Sequence, residues 1–322
     1  MDKKTRVGIV GYGNLGQGVE LALQQTEDLE LVAIFSRRVG SAQGKMQPMS
    51  QLAAYRDRLE VLVLCGGSAT DLPAQGPEVA QLFSTVDSFD NHKEIPAYYA
   101  AMDQAARAGG NLALISCGWD PGLFSLYRVL AMSSLPQGQT YTFWGPGLSQ
   151  GHSDAIRRVP GVADARQYTQ PVTETVEQVM AGAGKDYTAR EMHWRDCYVV
   201  AGEGADRERI AAQIEQMPNY FAPYDTRVNF VSQEQLKAEH SGMPHGGMVI
   251  RSGQTGGLHE HRLEYKVTMA DNPQFTASIL VAFARAAASL RRAGRVGAIT
   301  PLDVPIAALA PLCGEDLRRS FL

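Results

Sequence analysis

Gly11-Tyr12-Gly13-Asn14-Leu15-Gly16 lies between the apolar run 6–10 and the amphipathic stretch 14–25, and this junction decides the fold class of the 322-residue chain. The spacing G-x-G-x-x-G predicts a strand, a tight turn and a helix. The first glycine permits the turn, the second lets the main chain approach a pyrophosphate, and the third permits close packing of helix on strand. The helix N-terminus adds free N–H groups and a dipole that favours an anion. An ordinary glycine turn is the alternative, and the flanking strand and helix patterns count against it.

Outward from this turn the first third of the chain alternates short apolar runs with helical stretches. Strands are predicted at 29–35, 61–64, 84–86 and 111–116, with helices at 70–83 and 95–108. Alternation of this kind implies an α/β, Rossmann-type, doubly wound parallel sheet with right-handed crossovers. Residues 37–55 carry no clear pattern. Beyond Trp144 the rhythm changes, with strands predicted at 166–171, 191–200, 226–231, 247–252 and 258–269 and helices at 205–216 and 273–292. That spacing suggests a second, α+β domain built on a largely antiparallel sheet. The expected division is a dinucleotide-binding domain over 1–118, with a C-terminal return over 296–322, and a substrate-binding and dimerisation domain over 119–295.

The composition is that of a globular protein, with 44% hydrophobic and 20% charged residues. A net charge of -4 without blocks of like charge argues against a nucleic-acid partner. Cys65, Cys117, Cys197 and Cys313 lie far apart, which argues against a zinc site or a disulfide framework. No run reaches the roughly 20 apolar residues of a membrane span, and no signal pattern opens the chain, so a cytoplasmic location is expected.

About 20 residues past the glycine turn, an NAD enzyme carries an acidic residue for the ribose 2′-hydroxyl. Here the sequence reads Phe35-Ser36-Arg37-Arg38, a hydroxyl and two guanidinium groups suited to a 2′-phosphate, which favours NADP. A solvated basic loop is the alternative. Cys65-Gly66-Gly67-Ser68 ends the third strand with small residues that would let a cofactor lie along it; a helix capped by Ser68 or Thr70 is the plainer reading. Asp90 and Asp120 follow the fourth and fifth strands, where ligands of open α/β sheets bind. Asp120 precedes Pro121 and would equally serve as a helix cap.

These segments are similar to the meso-diaminopimelate dehydrogenase family. The resemblance is carried by GYGNLG, FSRR, CGGSATDLP, DSFD, CGWDPGLFSL, TFWGPGLSQGHSDAIRR, MPNYF, HSGMPHGG and DNPQFTAS, in order from Gly11 to Ser278. It implies NADP-dependent, reversible oxidative deamination of the D-centre of meso-2,6-diaminopimelate to L-2-amino-6-oxopimelate and ammonia, in lysine biosynthesis. It implies a site with two ends. Asp90 and Asp120 would bind the D-centre amine, between Trp119 and Trp144, with Gln150 and Gly151 at the neighbouring carboxylate. Arg195, Thr169 and His245 would hold the L-centre carboxylate, and Asn272 its amine. The cofactor would meet Gly11, Tyr12, Gly13, Asn14 and Leu15, then Ser36, Arg37 and Arg38, then Cys65, Gly66, Gly67 and Ser68. Ser88, Phe89, Asp90, Cys117, Gly118, Trp119, Asp120 and Pro121 would follow toward the nicotinamide. No metal is implied, and a homodimer formed through the second domain is.

Taken singly, these residues have plainer roles. Arg195 would pair with Asp196 on an exposed strand, His245 would cap a turn, and Thr169 would be an ordinary sheet residue. Asp120 is the candidate for orienting the amine and relaying its proton, and His152 is a second candidate with a structural alternative. Two other functions stay open: an NADP oxidoreductase of the same build acting on another substrate, including a broader D-amino acid dehydrogenase, and an NADP-sensing regulator.

Overall fold

The structure is a computed structural model that describes residues 4–38, 44–182 and 184–322. Its contacts divide the chain into two units, Met1–Leu126 with Pro273–Leu322, and Tyr127–Asn272.

The first unit runs β1 (Thr5–Val10), α1 (Asn14–Gln24), β2 (Leu29–Ser36), β3 (Met46–Pro48), β4 (Val61–Leu64), α2 (Leu72–Ala80), β5 (Thr85–Asp87), α3 (Ile95–Gly109), β6 (Leu112–Leu114) and the start of α4 (Leu123–Ser134). After the second unit it resumes with α10 (Asn272–Arg292), β14 (Gly297–Ile299) and α11 (Gly314–Phe321). The seven strands are parallel, in the order β14-β6-β5-β4-β1-β2-β3. All four side chains of β4, Val61-Leu62-Val63-Leu64, are fully buried, as a strand covered on both faces requires. Strand order reverses between β1 and β4, so the chain leaves in opposite directions at their adjacent carboxyl ends. The glycine turn sits at that point.

The turn behaves as its spacing predicts. Gly11 has φ +91, and a Cβ on Gly16 would overlap the carbonyl oxygen of Gly11. Only glycine lets α1 start this close to β1.

The unpatterned stretch forms the short edge strand β3 and a 3-10 helix, Met49–Tyr55; residues 39–43 lie outside the described residues. Relative to the expected domain boundaries, 119–126 and 273–295 group with the first unit. The cause is α10, whose face of Ala277, Leu280, Ala284 and Ala287 is buried. Ala277 fits against Gly18 of α1, and Arg285 pairs with Asp28. The C-terminal return therefore begins at α10, and β14 extends the parallel sheet beside β6.

The second unit contains β7 (Gly138–Trp144), β8 (Gly147–Leu148), α5 (Gln150–Arg157), β9 (Val162–Pro171), α6 (Thr173–Met180), α7 (Ala189–Met192), β10 (His193–Ala201), α8 (Arg207–Glu215), β11 (Asp225–Phe230), α9 (Gln233–Glu239), β12 (His245–Thr255) and β13 (His259–Met269). One antiparallel sheet was expected; there are two, β11-β10-β9-β8 and β13-β12-β7, and β11 runs parallel to β10. The first sheet packs Ala165, Cys197 and Val199 against Ile210 and Ile214 of α8 and against Phe221. The second packs Tyr141, Phe143 and Ile250 against Val179 of α6. Among the described residues no helix is long and apolar enough to cross a membrane.

Candidate active site

In the first unit, the carboxyl ends of β1, β2 and β4 surround a cleft of about 550 Å³. Its lining includes Gly11, Tyr12, Gly13, Ser36, Arg37, Arg38, Cys65, Gly66 and Gly67, so three separate sequence motifs meet at one place. A Cβ on Gly13 would meet no protein atom, which leaves this main chain open to a ligand. Asn14 and Leu15 begin α1, whose N-cap Gly13 offers no side-chain acceptor to the N–H groups of the first turn. Those donors suit a phosphate.

Four residues of this cleft were not singled out in the sequence: Phe35, Met49, Asp71 and Gln75. Met49 comes from the unpatterned stretch. Asp71 accepts hydrogen bonds from Gly67 N–H at 3.1 Å and Thr70 Oγ1 at 3.1 Å, and pairs with Arg37 at 3.0 Å. The Gly67 amide, with Thr70 and Arg37, holds its carboxyl below the usual range. An acidic side chain therefore lies beside the basic pair, although none occurs in the Ser36-Arg37-Arg38 segment itself. Neither Ser68 nor Thr70 caps α2: its N-cap is Asp71, without a side-chain cap, and Ser68 Oγ instead accepts from Asp90 N–H at 3.2 Å.

Asp90 is exposed three residues past β5, and Asp120 is half-buried in the turn that follows β6. That turn is closed by Gly118 N–H donating to Pro121 O at 2.8 Å and Phe124 N–H donating to Trp119 O at 2.9 Å. Trp119 is 9% exposed and packs edge-on against Phe124. Phe89 is buried against Tyr98, with ring centroids 4.1 Å apart, and Cys117 is fully buried. Ser88 is half-buried, Gly118 and Pro121 buried.

In the second unit the register carries Arg195 of β10 opposite Thr169 of β9, and Thr169 opposite Gly147 of β8. Arg195 Nη1 donates to Thr169 Oγ1. A Cβ on Gly147 would overlap the His245 ring, so His245 closes the same row. The three residues expected at the L-centre carboxylate are thus brought together. Arg195 is 6% exposed and does not pair with Asp196, which accepts instead from Asn229 Nδ2 at 2.8 Å and Tyr198 OH at 3.2 Å. The expected alternative of an exposed strand arginine does not hold, because the side chain lies against Tyr224 and Thr169.

Tyr224, unnoticed in the sequence, lies under Arg195, with the guanidinium carbon 3.8 Å from the ring centroid. Arg195 Nε has no hydrogen-bond partner among the described residues. Burial lowers the Arg195 pKa, and Tyr224 opposes that shift. A cation this buried, with neutral neighbours and an unused donor, is poised for an anion.

Trp144 is 38% exposed and stacks on His193, and its main-chain N–H donates to His193 Nε2 at 2.9 Å. Accepting that bond requires an unprotonated Nε2, in keeping with burial that pushes the His193 pKa down to about 4. Gln150 and Gly151 open α5 behind the N-cap Ser149. Gln150 Nε2 donates to Met243 Sδ at 2.9 Å, and Asn272 N–H donates to Met243 O at 2.9 Å, so both gather at the HSGMPHGG loop. Burial pushes the His152 pKa down to about 4, its Nδ1 is 2.7 Å from Ser149 Oγ, and its ring packs edge-on to Phe221. Among the described residues no group of three metal-binding side chains occurs.

A model of the diaminopimelic acid dehydrogenase C-terminal domain matches residues 118–271. Meso-diaminopimelate D-dehydrogenase of Ureibacillus thermosphaericus is 52% identical over 99% of each chain. The diaminopimelate dehydrogenase of Corynebacterium glutamicum, solved in complex with DAP, superposes with a TM-score of 0.93 at 47% identity over 99% of each chain. An engineered D-amino acid dehydrogenase bound to NADP+ superposes with a TM-score of 0.89 at 45% identity, covering 99% of this chain and 100% of that one. This chain belongs to the meso-diaminopimelate D-dehydrogenase family.

Proposed function

We propose that the protein catalyses the reversible, NADP+-dependent oxidative deamination of the D-centre of meso-2,6-diaminopimelate to L-2-amino-6-oxopimelate and ammonia, a step of lysine biosynthesis. The observation that carries this reading is Arg195: a buried guanidinium without a carboxylate partner among the residues it contacts, hydrogen-bonded to Thr169. A substrate with a second, remote carboxylate supplies the missing anion. Thr169 and His245 complete that end, and Asn272 takes the L-centre amine.

Bound NADP+ supplies the hydride acceptor. Gly11, Tyr12, Gly13, Asn14 and Leu15 take its pyrophosphate, Ser36, Arg37 and Arg38 its 2′-phosphate, and Cys65–Ser68 its flank. Ser88, Phe89, Cys117, Gly118 and Pro121 would line the nicotinamide side. At the reacting centre Asp90 and Asp120 bind and orient the amine, and Asp120 relays the proton that must leave before the C–H bond breaks. Trp119 and Trp144 exclude water, and Gln150 and Gly151 serve the adjacent carboxylate. Anchoring the L-centre holds the D-centre C–H in a reactive position.

The test is reduced-nicotinamide absorbance on adding NADP+ with meso-diaminopimelate, with the L,L-isomer and D-alanine as controls. Signal with the meso compound alone is expected. Equal signal with D-alanine favours a broader D-amino acid dehydrogenase, the reading suggested by the NADP+-bound engineered neighbour, and silence with all favours a regulator. Asp120→Asn should cut turnover about 100-fold while NADPH affinity stays within about twofold; unchanged turnover removes Asp120 from the chemistry. We also propose a cytoplasmic homodimer formed through the second unit, which light scattering tests.

A further inference from the structure

Asp87 is the last residue of β5 and is fully buried. Its Oδ1 accepts from Phe89 N–H at 3.0 Å and from Ser116 N–H at 3.1 Å, and its Oδ2 accepts from Tyr98 OH at 2.8 Å. Its own carbonyl accepts from Cys117 N–H at 2.8 Å. One side chain therefore grips the segment that leads into Asp90 and the segment that leads into Asp120. Ser116 has φ +60, a conformation uncommon outside glycine and held only where the surroundings fix it. The grip continues toward the glycine-rich end of β4, because Asp90 N–H donates to Ser68 Oγ. Tyr98, on α3, is itself fixed by stacking on Phe89 and by fitting against Gly76 of α2.

All three donors to Asp87 are neutral, and no cation contacts it among the described residues. Burial pushes its pKa up to about 6 against the pull of those donors. A buried charge without a counter-ion is costly, but an apolar side chain would leave two main-chain amides and a phenol without an acceptor. The distinguishing property of Asp87 is capacity: one carboxylate accepts from two main-chain amides and a phenol at once.

We propose that Asp87 is a positioning residue, a buried clamp that sets the Asp90 loop against the Asp120 loop and so fixes the two carboxylates of the D-centre end. This rests on the function proposed above for Asp90 and Asp120. Asp87 touches neither cofactor nor substrate; it acts through the loops it joins. In Asp87→Asn one oxygen remains for the two amides, while the group facing Tyr98 becomes a donor. In Tyr98→Phe the amide bonds remain and only the phenol is lost.

The test combines amide hydrogen exchange of the apo chain with steady-state kinetics on wild type, Asp87→Asn and Tyr98→Phe. For Asp87→Asn, exchange in residues 88–90 and 116–120 should rise together by about 10-fold, with β1 and β4 unchanged. The kcat should fall about 10- to 100-fold while NADP+ affinity stays within about twofold. Tyr98→Phe should show the same pattern at smaller size. Exchange that rises in one loop only, or across the whole unit, overturns the proposal. So does a wild-type kcat in both variants. If Asp87→Asn does not fold, Tyr98→Phe decides by the same readouts. Wild-type inactivity toward meso-diaminopimelate would overturn the functional reading, whereas the exchange result would still show whether the clamp exists.

Discussion

The nucleotide cleft of the first unit and the Arg195 row of the second are built from opposite materials. The cleft is main chain and glycine, and its cation Arg37 has a side chain 79% exposed and paired with Asp71. The row is side chain, and its cation is 6% exposed over Tyr224 and against Thr169. A cofactor held by main-chain N–H groups requires close approach and little else. A remote carboxylate held by one guanidinium requires a dry, fixed pocket, which makes each contact count for more. Much of the substrate selectivity should therefore reside in the second unit, and much of the cofactor anchorage in the first.

The largest expected effect follows from this contrast. Arg195→Met should lower kcat/KM for meso-diaminopimelate by about 1,000-fold, the cost of leaving a buried charged partner unpaired. NADP+ affinity should be unchanged, because the cleft lies in the other unit. The same substitution should leave apo thermal stability equal or higher, since an unpaired buried cation is replaced by an apolar chain of similar length. A large fall in stability would mean that Arg195 is structural.

Next in size is acid sensitivity, where the two units should diverge. Burial, with Arg195 nearby, pushes the His193 pKa down from its ordinary 6.5 to about 4. Its contribution, about 3 kcal/mol, is fully present above pH 6.5 and is lost as pH falls toward 4. His152 shifts in the same direction. Asp87 has the opposite sign: with a folded pKa of about 6 against an ordinary 3.8, its contribution is greatest below 3.8 and is lost as pH rises through 6. Protection factors measured from pH 7 to 5 should therefore fall mainly in β9 and β10. Uniform loss across both units would contradict this assignment.

A smaller effect separates the glycines of the turn. Gly13→Ala should keep the fold intact and weaken NADP+ about 10-fold, by blocking close approach of the pyrophosphate. Gly16→Ala should instead destabilise the unit, because its Cβ meets the Gly11 carbonyl. Equal behaviour of the two variants would remove the distinction between a ligand glycine and a packing glycine.

The same contrast explains how far the sequence could be read. The glycine turn, β4 and the start of α3 follow from local pattern, because one short segment contains both the cause and the result. Arg195, Thr169 and His245 come from three strands, and nothing local in any of them marks its partners. Their grouping was legible only through family resemblance. Tyr224 and Asp87 were missed because their roles depend on burial and on partners far along the chain; Asp71 sat within a quoted motif, but its pairing with Arg37 did not. The domain boundary was placed late because α10 reads as an ordinary helix until Ala277 meets Gly18 of α1. The strand β7 was missed although Gly138–Trp144 alternates and Pro136 and Gly138 mark a turn after α4.

We propose that residues of the first unit act on the D-centre while Arg195 holds the L-centre. The most direct test follows a deuterium label placed at one α-carbon of meso-diaminopimelate or at the other. Label at the D-centre should appear in the reduced nicotinamide and slow turnover, and label at the L-centre should stay in the product. Deuterium reaching the nicotinamide from the L-centre would contradict this assignment.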